Sequence, residues 1–192
     1  HRPTLRRRAL LRADPRSAEP VHLAASHRLL RAQLYSRPDA VAHFALFALC
    51  SAGRDAGGID FELGALRLHI SFYLRALRAF LGAEVPLRVA MSDFSGCSRE
   101  EQIRTRLLSP IGTEHPAVEC SFDDARQSGR GYYLDLCFHI YAADCVDAAD
   151  RRGRWVELAD GGAVDWTQRL LSNAKERLVT SGIGSERVCS AL

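Results

Sequence analysis

Apolar residues at helical spacing predict one long helix near the middle of the chain. Over residues 61–81 they recur at steps of three and four, and arginines fall between them, which is the pattern of a helix with one buried face. Gly82 follows the last apolar position and predicts the end of this helix. The apolar positions are Leu63, Leu66, Ile70, Leu74, Leu77 and Leu81, and the arginines are Arg67, Arg75 and Arg78.

Short apolar and alternating segments predict that most of the remaining chain is strand. The run VAHFALFALCSAG at residues 41–53 is almost entirely apolar, which is typical of a central strand buried on both faces. Segments 117–126 and 131–143 predict a hairpin around RQSGRG. The other predicted strands are residues 4–12, 28–39 with a turn at Pro38, 86–94, 154–162 and 176–188, the last entering a terminal helix, and the other predicted helices are residues 18–27, 99–108 and 165–175.

This order of elements predicts an α+β fold with an antiparallel or mixed sheet and helices on one side of it. The strands do not alternate regularly with helices, which excludes a Rossmann fold or a TIM barrel. A chain of 192 residues is long enough for one domain with a real core, so we predict a single domain over residues 1–192. The abrupt start HRPTLRRRALLRADP suggests a piece of a longer protein.

Composition and charge narrow the range of functions. The net charge is only +3, which argues against a dedicated nucleic-acid binder, although five arginines crowd the first twelve residues. Six scattered cysteines without a C-x-x-C pair, and seven scattered histidines, predict reduced thiols and no metal site. No secretory signal or long apolar run is present, so we expect a cytoplasmic protein that does not enter a membrane. The crowded arginines are Arg2, Arg6, Arg7, Arg8 and Arg12.

Four segments, taken in order, resemble the catalytic core of class II aminoacyl-tRNA synthetases. LLRADP is similar to that family's LRPE-T strand, and RLLRAQLYSRPD to its second signature motif. CSFDDARQSGRGYYLDLCFHIYA and DGGAVDW resemble its RGLDYYTG-x-x-FE and GGRYD segments, and SGIGSERV resembles its third motif. The resemblance covers nearly the whole chain and is greatest to the histidyl-tRNA synthetase-like members, which include the regulatory subunit of ATP phosphoribosyltransferase.

The resemblance implies an ATP site built around two arginines. Arg37 would grip the α-phosphate of ATP and the carboxylate under attack, and Asp39 would stand for the family's glutamate. Arg187 would pack on the adenine side next to Glu186, and Gly184 would let the base approach the backbone. Arginine suits this chemistry because its planar fork binds phosphate and carboxylate through two donors and keeps its proton. Mg²⁺ would offset the charge of the triphosphate.

The resemblance also implies a pocket for a small-molecule carboxylate or amino acid. Asp14 would meet the substrate amine, and Leu46 and Cys50 would lie on the strand that faces the substrate. The residues that would shape the rest of the pocket are Arg130, Tyr132, Tyr133, Gly161 and Gly162.

Taken one by one, several of these residues have simpler interpretations. Asp14 and Arg37 each precede a proline and are equally typical of exposed turns. The Gly161-Gly162 pair could form a hairpin turn. Side chains alternate along a strand, so only one of Tyr132 and Tyr133 can face a pocket. Their shared order and spacing favour the site.

Departures from the family pattern argue against a working histidyl-tRNA synthetase. Leu46 and Cys50 replace a glutamine and a glutamate, and an apolar pocket leaves a buried imidazole without partners. Ser128 falls at the position of the RGLDYY arginine, with Arg126 and Arg130 nearby. The family's insertion is reduced to about residues 95–116, no anticodon-binding domain follows Leu192, and the dimer-forming first motif would lie before His1.

Three functions remain in competition. The first is ATP-dependent activation of a carboxylate through an acyl-adenylate, with transfer to an acceptor other than tRNA. The second is a non-catalytic, synthetase-like regulatory subunit that binds a partner enzyme or carrier. The third is a structural domain that shares only the sheet. Because the family dimerises, we also expect a homodimer.

Overall fold

A seven-stranded mixed sheet is the centre of the computed structural model, which describes residues 2–30, 42–96, 99–143 and 155–190. The strands are β1 (Val21–Leu30), β2 (His43–Arg54), β3 (Leu87–Asp93), β4 (Val118–Phe122), β5 (Leu136–Ala143), β6 (Trp155–Val164) and β7 (Glu176–Gly184). Their order across the sheet is β1-β2-β7-β6-β5-β3-β4. Neighbouring strands are antiparallel except β3 and β4, which are parallel. The predicted α+β class with a mixed sheet is confirmed.

Helices flank both faces of the sheet, whereas the sequence predicted helices on one side. α2 covers one face, and α1 packs on the other face against β1, β2 and α5. The helices are α1 (Arg2–Ala13), α2 (Asp60–Leu81), α3 (Glu100–Ile103), α4 (Ser109–Glu114), α5 (Trp166–Leu171) and α6 (Ser185–Ser190), with a π-helical turn (Arg104–Leu108) joining α3 to α4. No helix in the described residues is long and apolar enough to cross a membrane.

The long amphipathic helix is confirmed as α2. Leu66, Ile70 and Leu74 are fully buried, and the backbone N–H of Gly82 donates to the carbonyl of Arg78 where the helix ends. Gly82 has φ +90°, a conformation that glycine adopts without strain. The apolar face of α2 packs on one face of the sheet, which includes Phe47, Leu49, Val89, Met91, Phe138, Ile140 and Val179.

A chain of hydrogen bonds crosses the interface between α2 and the sheet. His69 of α2 lies between two serines, with Nε2 2.8 Å from Ser51 Oγ and Nδ1 2.9 Å from Ser181 Oγ. The chain continues to His22 on β1 and to the hydroxyl of Tyr73. Burial lowers the pKa of His69 to about 4 and raises that of Tyr73 to about 12, so both are neutral near pH 7.

The strand and the helix predicted within residues 4–27 are wrong. Residues 4–12 form α1 instead of a strand, and residues 18–27 lie largely in β1 instead of a helix. The arginine-rich segment carries no apolar stripe that would reveal its helical period, and its buried positions are Thr4 and Arg7. β1 forms because it pairs along its whole length with β2, a contact that local sequence does not show.

The predicted hairpin between residues 117–126 and 131–143 is also wrong. β3 lies between β4 and β5, and it pairs in parallel with β4 and antiparallel with β5. Gly161 and Gly162 lie within β6, which excludes the hairpin turn. β2 is the second strand from the edge, and most of its residues are only partly buried, so it is not the central strand that was predicted. The predicted strands at β3, β6 and β7, and the helices at α3 and α5, are confirmed.

Candidate functional site

The face of the sheet opposite α2 carries a row of small and polar side chains across five strands. Strand register places Ser92 of β3, Cys137 of β5, Gly162 of β6, Thr180 of β7 and Cys50 of β2 in line. Residues one position away along each strand point to α2, because side chains alternate between the two faces. We call this surface the open face.

Next to this row, five side chains from β5, β6 and the preceding loop form a polar network. Asp160 Oδ1 lies 3.0 Å from Arg126 Nη2 and 3.6 Å from His139 Nε2. His139 Nε2 also lies 3.6 Å from Glu157 Oε2, and its Nδ1 is 2.8 Å from the hydroxyl of Tyr141. Two carboxylates therefore flank one imidazole beside a buried guanidinium.

Arg126 is the most constrained cation of the network. It is 6% exposed, its Nε donates to the carbonyl of Ser128, and its guanidinium lies 5.7 Å from the ring centre of Tyr133. Its Nη1 is buried and has no hydrogen-bond partner among the described residues. Burying a charged donor without a partner costs free energy, so this atom marks a position where an anion would be stabilised.

Burial sets the protonation of the groups around Arg126. It lowers the pKa of His139, with Glu157 opposing the shift, so His139 is neutral at pH 7. It raises the pKa of Tyr133, and the charge of Asp160 adds to that shift. The pKa of Tyr141 is also raised, mainly by burial. At neutral pH His139, Tyr133 and Tyr141 are thus uncharged.

Arg187, at the start of α6, reaches the same network from another side. Its Nη1 donates to the backbone carbonyl of Glu157 at 3.2 Å and lies 3.6 Å from Glu157 Oε1. The side chain of Arg187 is 48% exposed, so this pairing is weak and can be exchanged for another anion. The structure thus brings Arg187 and Arg126 to one connected group of side chains.

The residues predicted beside Arg187 have structural partners of their own. Both carboxylate oxygens of Glu186 accept from the backbone N–H of Ala45, at 2.9 and 2.8 Å. That hydrogen bond lowers the pKa of Glu186. Gly184 pairs with Leu46 across β7 and β2, and a Cβ there would meet only Arg187 Cβ at 3.8 Å. Glu186 therefore anchors α6 to β2, and its contact with a nucleotide stays a prediction.

Only one of the two predicted glycines lies on the open face. A Cβ at Gly162 would come within 2.6 Å of the Tyr133 ring and 2.8 Å of Cys137 Cβ, so this glycine makes room for Tyr133 on the sheet. A Cβ at Gly161 would instead meet Ser181 and Phe138, on the side that packs against α2. Gly161 therefore allows close packing in the core and does not face a ligand on the open face.

The two tyrosines have different surroundings, although they lie in a turn before β5 and not on the strand predicted over residues 131–143. Tyr133 is 7% exposed and lies beside Arg126, whereas Tyr132 is 53% exposed and packs edge-on against Trp166. Arg130 is exposed too, with its guanidinium 4.5 Å from the centre of the Phe94 ring. The structure brings Tyr133 to the network and leaves Tyr132 and Arg130 outside it.

Leu46 and Cys50 form part of the floor of the open face. Leu46 leans over Gly182, since a Cβ at that glycine would lie 2.9 Å from Leu46 Cδ1. Cys50 Sγ is 3.5 Å from Thr180 Oγ1. The floor of the open face is thus formed by small and largely apolar side chains, as the identities of Leu46 and Cys50 predicted.

Asp14 does not join the other predicted residues through any contact with the described chain. It follows α1 and is exposed, and its carboxylate accepts from the backbone N–H of Arg16 at 2.9 Å. The strand on which the prediction placed it is a helix, so its proposed contact with a substrate amine loses its structural basis. Arg37 and Asp39 lie outside the described residues, so their predicted roles stay predictions.

Sequence reasoning missed most of the network. The motifs place Arg126 only near the position of the family's arginine, and no motif marks His139, Glu157 or Asp160 as site residues. A signal was present in the two strands, where charged or polar residues alternate with apolar ones in LCFHIYAA and WVELADGG. Within the described residues no group of three or more His, Cys, Asp or Glu could hold a metal ion, and Cys50, Cys120, Cys137 and Cys189 are free thiols.

Two solved structures share this fold. Apo histidyl-tRNA synthetase from S. aureus matches with a TM-score of 0.63 at 15% identity, covering 96% of this chain and 47% of that one. An ATP phosphoribosyltransferase regulatory subunit/histidyl-tRNA synthetase from Bacillus halodurans matches with a TM-score of 0.57 at 16% identity, covering 97% of this chain and 62% of that one. The chain therefore spans about half the length of the first protein and less than two thirds of the second.

Neither the family models nor the curated proteins contain a match to this sequence. The likeness to the two structures therefore concerns the three-dimensional fold. This likeness of fold agrees with the resemblance of the sequence motifs, which was to the same two kinds of protein. The chain has the fold of the histidyl-tRNA synthetase-like class II catalytic core.

Proposed function

We propose that this chain activates a small-molecule carboxylate with ATP, forming an acyl-adenylate, and transfers the acyl group to an acceptor other than tRNA. The observation that carries the proposal is the buried, partly unpartnered guanidinium of Arg126 on the open face. Arg187 contacts the same network through Glu157. Two cations on one sheet face suit a reaction that joins two anions.

The chemistry assigns a task to each arginine. A carboxylate oxygen of the substrate attacks the α-phosphorus of ATP, the bond from that phosphorus to the bridging oxygen of the β-phosphate breaks, and pyrophosphate leaves. Negative charge accumulates at the phosphorus, and a fixed guanidinium stabilises it without reorganisation. Arg126 is fixed in this sense by Asp160 and Ser128. Arg187, half exposed, would exchange Glu157 for the nucleotide.

We expect Mg²⁺ to bind to this face together with the nucleotide, and not as an ion that the protein holds on its own. Mg²⁺ is usually held by one or two carboxylates together with substrate phosphates. Glu157 and Asp160 are partly exposed carboxylates on the open face, with 41% and 37% of their side chains accessible. They are the side chains that would complete the coordination shell of Mg²⁺, and the ion would neutralise charge on the triphosphate.

The floor of the face limits the substrate. Leu46 and Cys50 offer no donor or acceptor strong enough for a buried imidazole, so we propose a carboxylate or amino acid other than histidine. The acceptor is an amine or a thiol. The net charge of only +3 argues against a nucleic-acid partner, so tRNA is not proposed as the acceptor.

Carboxylate-dependent exchange of labelled pyrophosphate into ATP tests this function. We expect exchange with at least one acid of a broad panel, and a loss of about 10²-fold or more in Arg187→Ala, because one charge-stabilising group of the transition state is removed. Arg169→Ala is the matched control, since Arg169 is 75% exposed on α5 and pairs with Asp165 instead of a residue of the network. Folded protein that shows no exchange with any acid and no Mg-ATP binding by calorimetry would contradict the proposal.

A second candidate is a non-catalytic subunit that regulates a partner enzyme. It is favoured by the apolar floor at Leu46 and Cys50 and by the likeness to a regulatory subunit of ATP phosphoribosyltransferase. It predicts that this chain changes the activity of an ATP phosphoribosyltransferase catalytic subunit and shows no pyrophosphate exchange. A homodimer is expected under either function, and sedimentation velocity measures it.

A further inference from the structure

The outer edge of β1 is a long and regular strand edge. β1 pairs with β2 through ten consecutive residues, from Val21 opposite Ala52 to Leu30 opposite His43, with no bulge. Within the described residues no strand pairs with its other edge. Proteins usually protect such edges with proline, bulges or inward-pointing charges. β1, with the sequence VHLAASHRLL, has no proline and no bulge.

A groove lies next to this edge, between α1 and β1. It has a volume of about 340 Å³ and is lined by Arg2, Leu5 and Arg6 of α1 and by Leu23 of β1. Leu5 is 61% exposed, so its side chain adds apolar surface to the groove. The groove therefore combines an apolar floor with two guanidinium groups.

The charges of this surface indicate what kind of partner it would bind. Arg2 and Arg6 are four residues apart, which places them on one side of α1, and no described carboxylate forms an ion pair with either. β1 contains no acidic residue, and its Arg28 lies on the face of the strand opposite Leu23, 3.6 Å from Glu186. Pairing β1 with β1 of a second copy would bring these arginines together, and like charges at an interface are unfavourable.

From these observations we infer that the β1 edge and the α1–β1 groove bind an extended acidic segment of a partner protein as an added strand. The backbone of the segment pairs with β1, an apolar side chain lies on Leu5 and Leu23, and carboxylates meet Arg2 and Arg6. This is the strand-addition mode of peptide recognition, in which backbone hydrogen bonds give affinity and side chains give selectivity. The inference does not depend on the proposed enzymatic function.

A synthetic peptide tests the inference. The probe is a fluorescent peptide of about eight residues that alternates glutamate with valine, long enough to span most of β1. We expect it to bind in fluorescence anisotropy and to slow hydrogen exchange of β1 amides. Arg2→Glu/Arg6→Glu should weaken binding by about tenfold or more, because both carboxylate contacts become repulsive.

Two controls separate strand addition from general attraction of charge. Arg8→Glu/Arg12→Glu changes the charge of α1 equally but outside the groove lining, and should alter binding by less than about threefold. Methylating alternate backbone nitrogens along one edge of the peptide should abolish binding, and methylating the other edge should not. Equal effects of the two arginine pairs, protection away from β1, absence of binding, or a homodimer that protects β1 without peptide would each overturn the inference.

Discussion

Arg7 of α1 and Glu176, the first residue of β7, form an ion pair that is completely buried. Arg7 Nε donates to Glu176 Oε2 and Arg7 Nη2 to Glu176 Oε1, both at 2.8 Å, and neither side chain is exposed. The remaining donors of Arg7 reach the carbonyls of Ser17 and Glu19. One arginine thus holds α1, the segment that follows it and the sheet together.

Removing one member of this pair should destabilise the protein strongly. Arg7→Met or Glu176→Leu leaves a buried charge without its partner, and we expect a loss of about 3–5 kcal/mol in the free energy of unfolding. The double variant should recover most of that loss, because neither charge remains. Urea denaturation measures all three. Glu100→Gln is the control, because its pair with Arg104 is exposed and worth about 0.5 kcal/mol or less.

The stability of the protein should fall in mild acid because of His69. The pKa of His69 is lowered from 6.5 to about 4 in the folded state, so between those values the unfolded chain binds a proton that the folded chain does not. The contribution is present above pH 6.5 and is lost as the pH falls toward 4. Over that window it amounts to at most about 3 kcal/mol.

Denaturation curves at several pH values between 6.5 and 4 measure this dependence. His69→Gln keeps a polar side chain between Ser51 and Ser181 but does not titrate, so its stability should depend less steeply on pH than that of the wild type. His27→Gln, at an exposed position of β1, is the matched control and should retain the wild-type slope. An unchanged slope in His69→Gln would contradict the argument.

Gly162 should be the least replaceable glycine of the open face. A Cβ there would lie 2.6 Å from the carbonyl oxygen of Leu136 and from the Tyr133 ring, so Gly162→Ala must displace one of them. We expect a loss of about 1–3 kcal/mol in the free energy of unfolding. Gly64→Ala is the control: nothing lies within 4 Å of its Cβ, and alanine in α2 should add about 0.5–1 kcal/mol.

Arg126→Lys should separate charge from geometry at the network. Lysine keeps the positive charge but cannot hold Ser128, Asp160 and a ligand in one plane. We expect pyrophosphate exchange to fall by about tenfold or more while the protein stays folded. Arg130→Lys in the same loop should change exchange little, since Arg130 is exposed over Phe94. Unchanged exchange in Arg126→Lys would show that the positive charge alone suffices, and an equal loss in Arg130→Lys would show that the effect is not specific to Arg126.

Sequence patterns predicted those elements whose apolar residues repeat at the spacing of a helix or strand. α2 displayed its buried stripe at Leu63, Leu66 and Ile70, and its end at Gly82, and both are confirmed. α1 was missed because Arg7, its buried member, looks like the solvated arginines around it. The position of β3 between β4 and β5 depends on pairing between distant segments, which no local window contains.

The site was predictable to a similar degree. Arg187 and Tyr133 lie in motifs that the sequence shows, and the structure places both beside the network, while their roles stay predictions. His139 lies directly opposite Asp160 across β5 and β6, and a shift in register between Ile140 and Tyr141 places Glu157 opposite Tyr141 beside them. Such a shift is a property of two strands together, and neither segment shows it alone.

The hydrogen bonds from the backbone N–H of Ala45 to Glu186 link β2 mechanically to α6. Both oxygens of one carboxylate clamp the amide just inside β2, and the next residue along α6 is Arg187. A shift of the first residues of β2 should therefore move the base of α6 and Arg187 with it, because Leu46 of β2 lies opposite Gly184, the last residue of β7. The strand start and the arginine would thus respond as one unit at this end of the sheet.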